Sequence, residues 1–226
     1  MKKPTTTQLK EQLQQNPFFT GLDEDSIDLL LQDALWRTYA TAETIVFEGD
    51  DALGFYYLQS GWLKVVKVAP NGREQVLSFI ESGNTFYEVG AFSDQPNPAT
   101  VIALEPASVW LIRRATIMKL VHERPYFAEF ILAKMANRLH YLVSLVTDLS
   151  LRPVKGRLAR LLLESAADDV LQRPKWYTQS ELAARLGTVP DVVQRALREL
   201  ESDGLIAVDR RTIHILDRPN LAAKVE

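Results

Sequence analysis

The stretch TQSELAARLGTVPDVVQRALREL, residues 178–200, decides how the chain is read. Thr178-Gln179-Ser180-Glu181 has the form of a capping box, in which the Thr178 side chain accepts from the Glu181 amide while the Glu181 side chain reaches back. Leu182, Ala183 and Leu186 give the apolar face of a helix two turns long, and Gly187 supplies the left-handed residue that stops it. Pro190 fits the first position of a second helix, which buries Val193, Ala196, Leu197 and Leu200 and ends at Asp203-Gly204. Two short helices joined by a glycine-containing turn form a helix-turn-helix. Beyond it, Leu205–Val208 and Thr212–Leu216 read as a hairpin with a basic tip, Asp209-Arg210-Arg211, so the motif is winged.

The polar residues of the second helix have a pattern of their own. Asp191, Gln194, Arg195 and Arg198 lie opposite the four buried positions. In a major groove Arg195 can donate two bonds to guanine, Gln194 can pair with adenine, and Asp191 can accept from cytosine. Arg198 and the wing pair Arg210 and Arg211 suit phosphates, which orient a protein without reading sequence. Thr178, Gln179 and Pro190, at the two helix starts, complete the candidate DNA-contacting set. A solvated helix face is the bland alternative. It is outweighed by the agreement of cap, turn glycine, apolar spacing and polar face across residues 177–216.

Composition agrees and excludes much else. The 226 residues suit one large or two modest domains, and a 46% hydrophobic fraction can build a real core. With no cysteine there is no disulfide framework, cysteine-ligated zinc, iron–sulfur cluster or thiol nucleophile. No apolar run reaches the ~18 residues of a membrane span, and the first residues lack the apolar stretch of a signal peptide, so a cytoplasmic protein without membrane contact is expected. No phosphate-cradling glycine loop, metal-binding histidine pair or activated nucleophile is visible, so an enzyme is not expected. Net charge is −3, but it is unevenly spread: residues 1–150 carry 13 basic against 18 acidic side chains, residues 151–226 carry 13 against 11. The C-terminal third is weakly basic, a hint of separate tasks.

Upstream, residues 1–40 read as short helices, with Asp23 as an N-cap. From Thr41 to Ile112, glycines at 49, 61, 72 and 83 punctuate β-branched and aromatic runs at Thr44–Phe47, Phe55–Leu58, Leu63–Val68, Gln75–Ile80, Thr100–Leu104 and Val109–Ile112. That interval suits an antiparallel sandwich or roll, and Pro70-Asn71-Gly72 is its clearest hairpin turn. Pro125 then opens a long helix on which Leu132, Met135, Leu139, Leu142, Val146 and Leu149 recur at steps of 3, 4, 3, 4 and 3. So narrow a seam favours a two-stranded coiled coil, hence a homodimer, over a helix lying on its own core. Leu151-Arg152-Pro153 interrupts it, and residues 154–171 read as a further amphipathic helix. The expected fold is α+β, in three parts: residues 1–124 a jelly-roll (double-stranded β-helix) sensor with N-terminal helices, 125–152 a dimerisation helix and hinge, and 153–226 a winged helix-turn-helix.

Across residues 15–217 the chain resembles the cyclic AMP receptor/FNR superfamily of bacterial transcription regulators. The resemblance is carried by Phe47-Glu48-Gly49-Asp50, Tyr57-Leu58-Gln59-Ser60-Gly61, Ser82-Gly83-Asn84-Thr85-Phe86, Met135-Ala136-Asn137-Arg138-Leu139, Gly156-Arg157-Leu158-Ala159 and the helix-turn-helix. It implies a cyclic-nucleotide-binding-like sensor, a homodimer, palindromic double-stranded DNA as partner, and contact with RNA polymerase. It also places the effector pocket at Phe86, Tyr87, Glu88, Val89, Gly90 and Ala91, at Pro98 and Ala99, and at Leu142 and Val143. Cyclic-nucleotide-binding members carry a Gly-Glu pair, an Arg-Ser pair and helix hydroxyls at these places. Here Glu88 is kept, Tyr87 stands for the glycine, Pro98-Ala99 for Arg-Ser, and Leu142-Val143 for the hydroxyls. Without the arginine a buried phosphate lacks its bidentate cation, which argues against cyclic AMP. The missing cysteines exclude an iron–sulfur cluster. Phe55-Tyr56-Tyr57-Leu58, Asn84-Thr85-Phe86 and Arg138-Leu139-His140 also look similar to the haem-dependent, nitric-oxide-responsive branch, with His140 as the candidate axial ligand. The effector stays unassigned. The alternatives are a haem-dependent gas sensor, an apolar ligand, no effector at all, or a ligand-binding module with vestigial DNA binding.

Overall fold

The computed structural model describes residues 3–16, 19, 22–93 and 95–225. The chain forms two compact units, residues 1–67 with 78–140, and residues 68–77 with 141–226.

The first unit begins with α1 (Thr6–Gln15) and α2 (Glu24–Gln32). Asp23 caps α2 by accepting from the Ser26 amide, as its sequence position implies. Residues 35–39 depart from the helical reading of the first 40 residues: Leu35–Tyr39 is a strand, β1, paired antiparallel with a later strand and bringing Trp36 opposite Trp110. Its residues are exposed or half-buried throughout, so no apolar alternation marks it, and only the ladder holds it. Then come β2 (Thr44–Val46), β3 (Gly54–Ser60), β4 (Trp62–Val68), β5 (Glu74–Glu81), the two-residue β6 (Thr85–Phe86), α3 (Val89–Phe92), β7 (Thr100–Ala103) and β8 (Ala107–Arg113). They form two four-stranded sheets, ordered β1-β8-β3-β6 and β2-β7-β4-β5. The turn between β4 and β5 is closed at Pro70-Asn71-Gly72 by the Ala69 amide on the Arg73 carbonyl, 2.9 Å.

β3 and β8 are buried almost end to end. Successive side chains of a strand face opposite sides, so both faces of this pair are covered. Phe55, Tyr57, Trp110 and Ile112 meet Leu9, Leu13, Ile27 and Leu30 of the first helices, Ile117 and Leu120 of α4 (Arg114–Glu123), and Phe127 and Ile131 of α5 (Pro125–Leu151). Each such buried side chain contributes about 1.5–3 kcal/mol.

The second unit holds the end of α5, then α6 (Val154–Ser165), β9 (Val170–Gln172), α7 (Gln179–Leu186), α8 (Pro190–Ser202), β10 (Ile206–Val208), β11 (Thr212–Ile215) and α9 (Arg218–Ala222). α5 stops at Leu151, and Pro153 caps α6 from an extended conformation. A helix continuing to residue 171 is not what forms. Asp168 and Asp169 take left-handed backbone angles, a turn closes between Ala167 and Val170, and β9 joins the sheet β10-β11-β9. Among the described residues no helix is long and apolar enough to cross a membrane.

Candidate functional site

The helix-turn-helix is built by local chemistry. Thr178 accepts from the Glu181 amide at 3.2 Å, which starts α7. Leu182, Ala183 and Leu186 are buried, and Gly187 ends the helix at φ +66°. A Cβ at Gly187 would lie 2.7 Å from Leu149 Cδ2 and 2.8 Å from Gln75 Oε1, so the conformation calls for glycine and a Cβ would also have to displace two side-chain ends. The last carbonyls of α7, orphaned by the helix end, are taken by side chains: Arg73 Nη2 donates to the Gly187 carbonyl at 2.6 Å and Gln75 Nε2 to the Arg185 carbonyl at 3.3 Å. Tyr177, which precedes the cap, is buried, and burial pushes its phenol up to about 12.

α8 starts at Pro190 after Val189, which offers no side-chain cap. Val193, Ala196, Leu197 and Leu200 are all buried, while Asp191, Arg195 and Arg198 are exposed and Gln194 is half-buried. The helix thus presents a polar edge opposite its anchor. At its far end Asp203 accepts from Lys155 of α6 at 3.2 Å and pairs with Lys224 at 3.4 Å, and these ammonium groups hold its carboxyl below the usual aspartate range. In the wing, the Asp209 amide on the Thr212 carbonyl closes the turn, and the Arg173 amide on the Arg211 carbonyl, 2.7 Å, braces it. Arg210 and Arg211 stay exposed at the tip. Thr178 and Pro190 are exposed and Gln179 half-buried.

The seam residues do not share one environment. Leu132, Leu139 and Val146 are 68%, 64% and 63% exposed, and Leu142 and Val143 are exposed as well. Met135 packs partly on the core of the first unit and Leu149 is half-buried, while Ile131 and Leu145, off the seam, are the buried positions of that part of α5. His140 is exposed, and no cluster of His, Cys, Asp or Glu that could hold a metal ion occurs among the described residues.

In the first unit the candidate pocket residues fall into place around β6, α3 and the start of β7. Phe86, Tyr87, Gly90, Ala91 and Ala99 are buried, Glu88 is half-buried, and Val89 and Pro98 are exposed. Leu142 and Val143 belong to the second unit. Phe86 stacks on Tyr56 with ring centres 5.0 Å apart and 12° between planes. Glu88 accepts from the Thr85 hydroxyl at 2.6 Å. Tyr87 has φ +67°, a conformation that costs an L-residue about 1–2 kcal/mol. Its hydroxyl donates to the Ala99 carbonyl and accepts from the Ala99 amide at 3.2 Å. Burial, first of all, raises the Tyr87 phenol above its ordinary value and carries that of Tyr56 to about 12. Three neighbours fall outside the sequence-derived set. Lys67 pairs with Glu48 and donates to the Pro98 carbonyl at 3.1 Å, and Asn97 is buried with no partner for its Oδ1. Nothing in local spacing marks them, because the end of β4 and two separate loops supply them.

Residues 36–124 match the cyclic nucleotide-binding domain family, and residues 156–224 match the Crp-like helix-turn-helix domain family. The cAMP-activated global transcriptional regulator Vfr of Pseudomonas aeruginosa is 29% identical over 196 residues, covering 83% of this chain and 92% of its own. FixK2 of Bradyrhizobium japonicum shares the fold with a TM-score of 0.76 at 23% identity, over 85% of this chain and 98% of its own. The sensor domain of the transcriptional regulator DNR of Pseudomonas aeruginosa aligns at 27% identity and TM-score 0.57, over 62% of this chain and 93% of its own. A roll that matches the cyclic nucleotide-binding domain family, followed by a long helix and a winged helix-turn-helix, accounts for every one of these likenesses, and the chain belongs to the Crp–Fnr superfamily of DNA-binding transcription regulators.

Proposed function

We propose that the protein is a cytoplasmic homodimer that joins along the Leu132–Leu149 seam and reads a palindromic operator with two copies of α8. The observation that carries this is the division of α8 into four buried anchors and an exposed edge of Asp191, Arg195 and Arg198 beside Gln194. Arg195, Gln194 and Asp191 read base edges, and Arg198, Arg210 and Arg211 hold phosphates, with Thr178, Gln179 and Pro190 at the groove margin. A two-fold dimer requires half-sites about one helical turn apart. The functional division at residues 124 and 152 treats α5 as one dimerisation element between its start at Pro125 and the break at Pro153, although the compact units divide within it after residue 140. Contact with RNA polymerase follows from the superfamily.

The pocket residues disfavour cyclic AMP as the effector that modulates DNA affinity. This is supported by Pro98, which supplies no side-chain cation. Selection from a random duplex pool, followed by fluorescence anisotropy on the selected and scrambled sequences at several salt concentrations, tests the reading. Two inverted half-sites and a steep salt dependence are expected. Equal affinity for selected and scrambled duplexes would overturn it.

A further inference from the structure

The turn between α7 and α8 ends in a tip without hydrogen-bonding side chains. Val189 is the N-cap of α8 and is 53% exposed, and Pro190 after it is exposed as well. Valine makes no side-chain cap there, whereas α7 starts on a Thr178 hydroxyl that accepts from the Glu181 amide. Proline has no amide hydrogen. Two successive residues at the leading end of the helix thus offer a base edge neither a side-chain donor nor a side-chain acceptor. The next side chain able to bond is that of Asp191. The backbone of the tip is nevertheless fixed. The Thr188 amide donates to the Ala183 carbonyl at 2.9 Å, and the Val189 carbonyl accepts from the Val192 and Val193 amides at 3.1 and 3.3 Å.

We propose that Val189, with the Pro190 ring beside it, is a base-reading residue that selects thymine by its C5-methyl group. In a helix-turn-helix the N-terminal residues of the second helix approach the base edges. Among the groups that distinguish the four base pairs in the major groove, the thymine methyl is the one apolar group. A polar edge pressed against Val189 and Pro190 would lose its water without gaining a partner. A methyl group has no such bond to lose, and its contact with the isopropyl group takes apolar surface on both sides out of water. The fixed backbone and the stiff β-branched side chain keep the ordering cost of that contact low. Arg195, Gln194 and Asp191, the hydrogen-bonding readers, stand further along α8, so the thymine lies at a base pair beside those they read. The inference deepens the DNA-reading part of the proposed function and rests on it. The roll and its effector do not enter.

The test uses the full chain and the duplex selected from the random pool. Each thymine is replaced in turn, in both half-sites, by deoxyuridine, a change that removes the C5-methyl group alone. Anisotropy of the parent should find one thymine per half-site whose replacement weakens binding about fourfold for each half-site, as expected for one methylene-sized group left unburied. At that same position 5-methylcytosine should bind about fourfold more tightly per half-site than cytosine. Val189→Ser and Val189→Asn remove the isopropyl group and supply favoured N-caps, so thermal denaturation should show no loss of stability. Both variants should bind the thymine and deoxyuridine duplexes within about twofold of each other. A parent that changes by less than about twofold at every thymine overturns the proposal, as does one that does not distinguish 5-methylcytosine from cytosine. So does either folded variant that keeps the parent's discrimination, and if neither folds, the 5-methylcytosine result decides. Selected and scrambled duplexes are compared in parallel. A parent that prefers the selected duplex but ignores the methyl groups loses only the Val189 assignment, whereas a parent with no preference loses the operator reading itself.

Discussion

Leu139→Ala tests whether the α5 seam carries the dimer. In the single chain Leu139 is 64% exposed, so about two-thirds of its burial is still available to a partner. Truncation removes three carbons, each worth about 0.8 kcal/mol when fully buried. Scaled by the exposure, that is about 1.5 kcal/mol per copy and about 3 kcal/mol for the two copies of a dimer. The cost of bringing two chains together is the same for parent and variant, so the difference appears in the dimer constant, as a rise of up to about a hundredfold. Leu145→Ala is the matched control. Leu145 is already buried within its own chain, so its truncation should cost about 2–5 kcal/mol of folding stability instead. Sedimentation equilibrium over a range of concentrations gives the dimer constant, and circular dichroism in urea gives the folding stability. A Leu139→Ala dimer constant equal to the parent's, or a parent that is monomeric throughout, refutes the reasoning.

Arg195→Ala should weaken operator binding by about 1–3 kcal/mol and relax the base preference at one position of each half-site, read by anisotropy on a set of singly substituted duplexes. Arg211→Ala should instead weaken all duplexes alike and lower the salt slope by about one per subunit; a change of sequence preference would remove it from the phosphate-binding role. Gly187→Ala and Gly204→Ala both force alanine into the left-handed region, at about 1–2 kcal/mol each, but only at Gly187 does the new Cβ also crowd Leu149 and Gln75. The larger loss in thermal denaturation should therefore fall at Gly187, and equal losses would show that the crowding is relieved without cost. The Asp203 carboxyl is held below its ordinary value of 3.8 by Lys155 and Lys224. A depressed folded-state value means stability that is complete above that ordinary value and is lost as pH falls below it. The melting temperature of Asp203→Asn should therefore approach the parent's as pH drops from 5 toward ~3, and a constant gap between the two would show that the pair contributes no pH-linked stability.

The parts of the fold that were readable from sequence are those whose signals are local. The helix-turn-helix announces itself because Thr178, Gly187 and Pro190 each act within a few residues of where they stand, and the buried set on α8 follows from spacing alone. β1 lacks such a signal: its pairing comes from a strand about 70 residues later, and Leu35-Trp36-Arg37-Thr38-Tyr39 shows no alternation of its own. The end of α6 is concealed for another reason. Asp168 and Asp169 turn the chain where neither glycine nor proline marks it, and pairing with β11 converts an apparently helical Val170-Leu171 into strand.

The roll pocket was half legible. Sequence shows that Tyr87 stands where a glycine is expected and that Pro98-Ala99 lacks an arginine, and both count as losses when the residues are taken one at a time. The structure joins them. Tyr87, at a left-handed position, sends its hydroxyl to both backbone groups of Ala99. That pairing bears on regulation. A ligand shifts a conformational equilibrium only by its differential affinity for the two states. The Tyr87 hydroxyl and the Ala99 backbone satisfy one another, so a ligand that displaced the phenol would have to replace both bonds to gain anything. A modulator of this chain either supplies a donor and an acceptor together, as the phenol does, or acts at a surface outside the Tyr87–Ala99 pair.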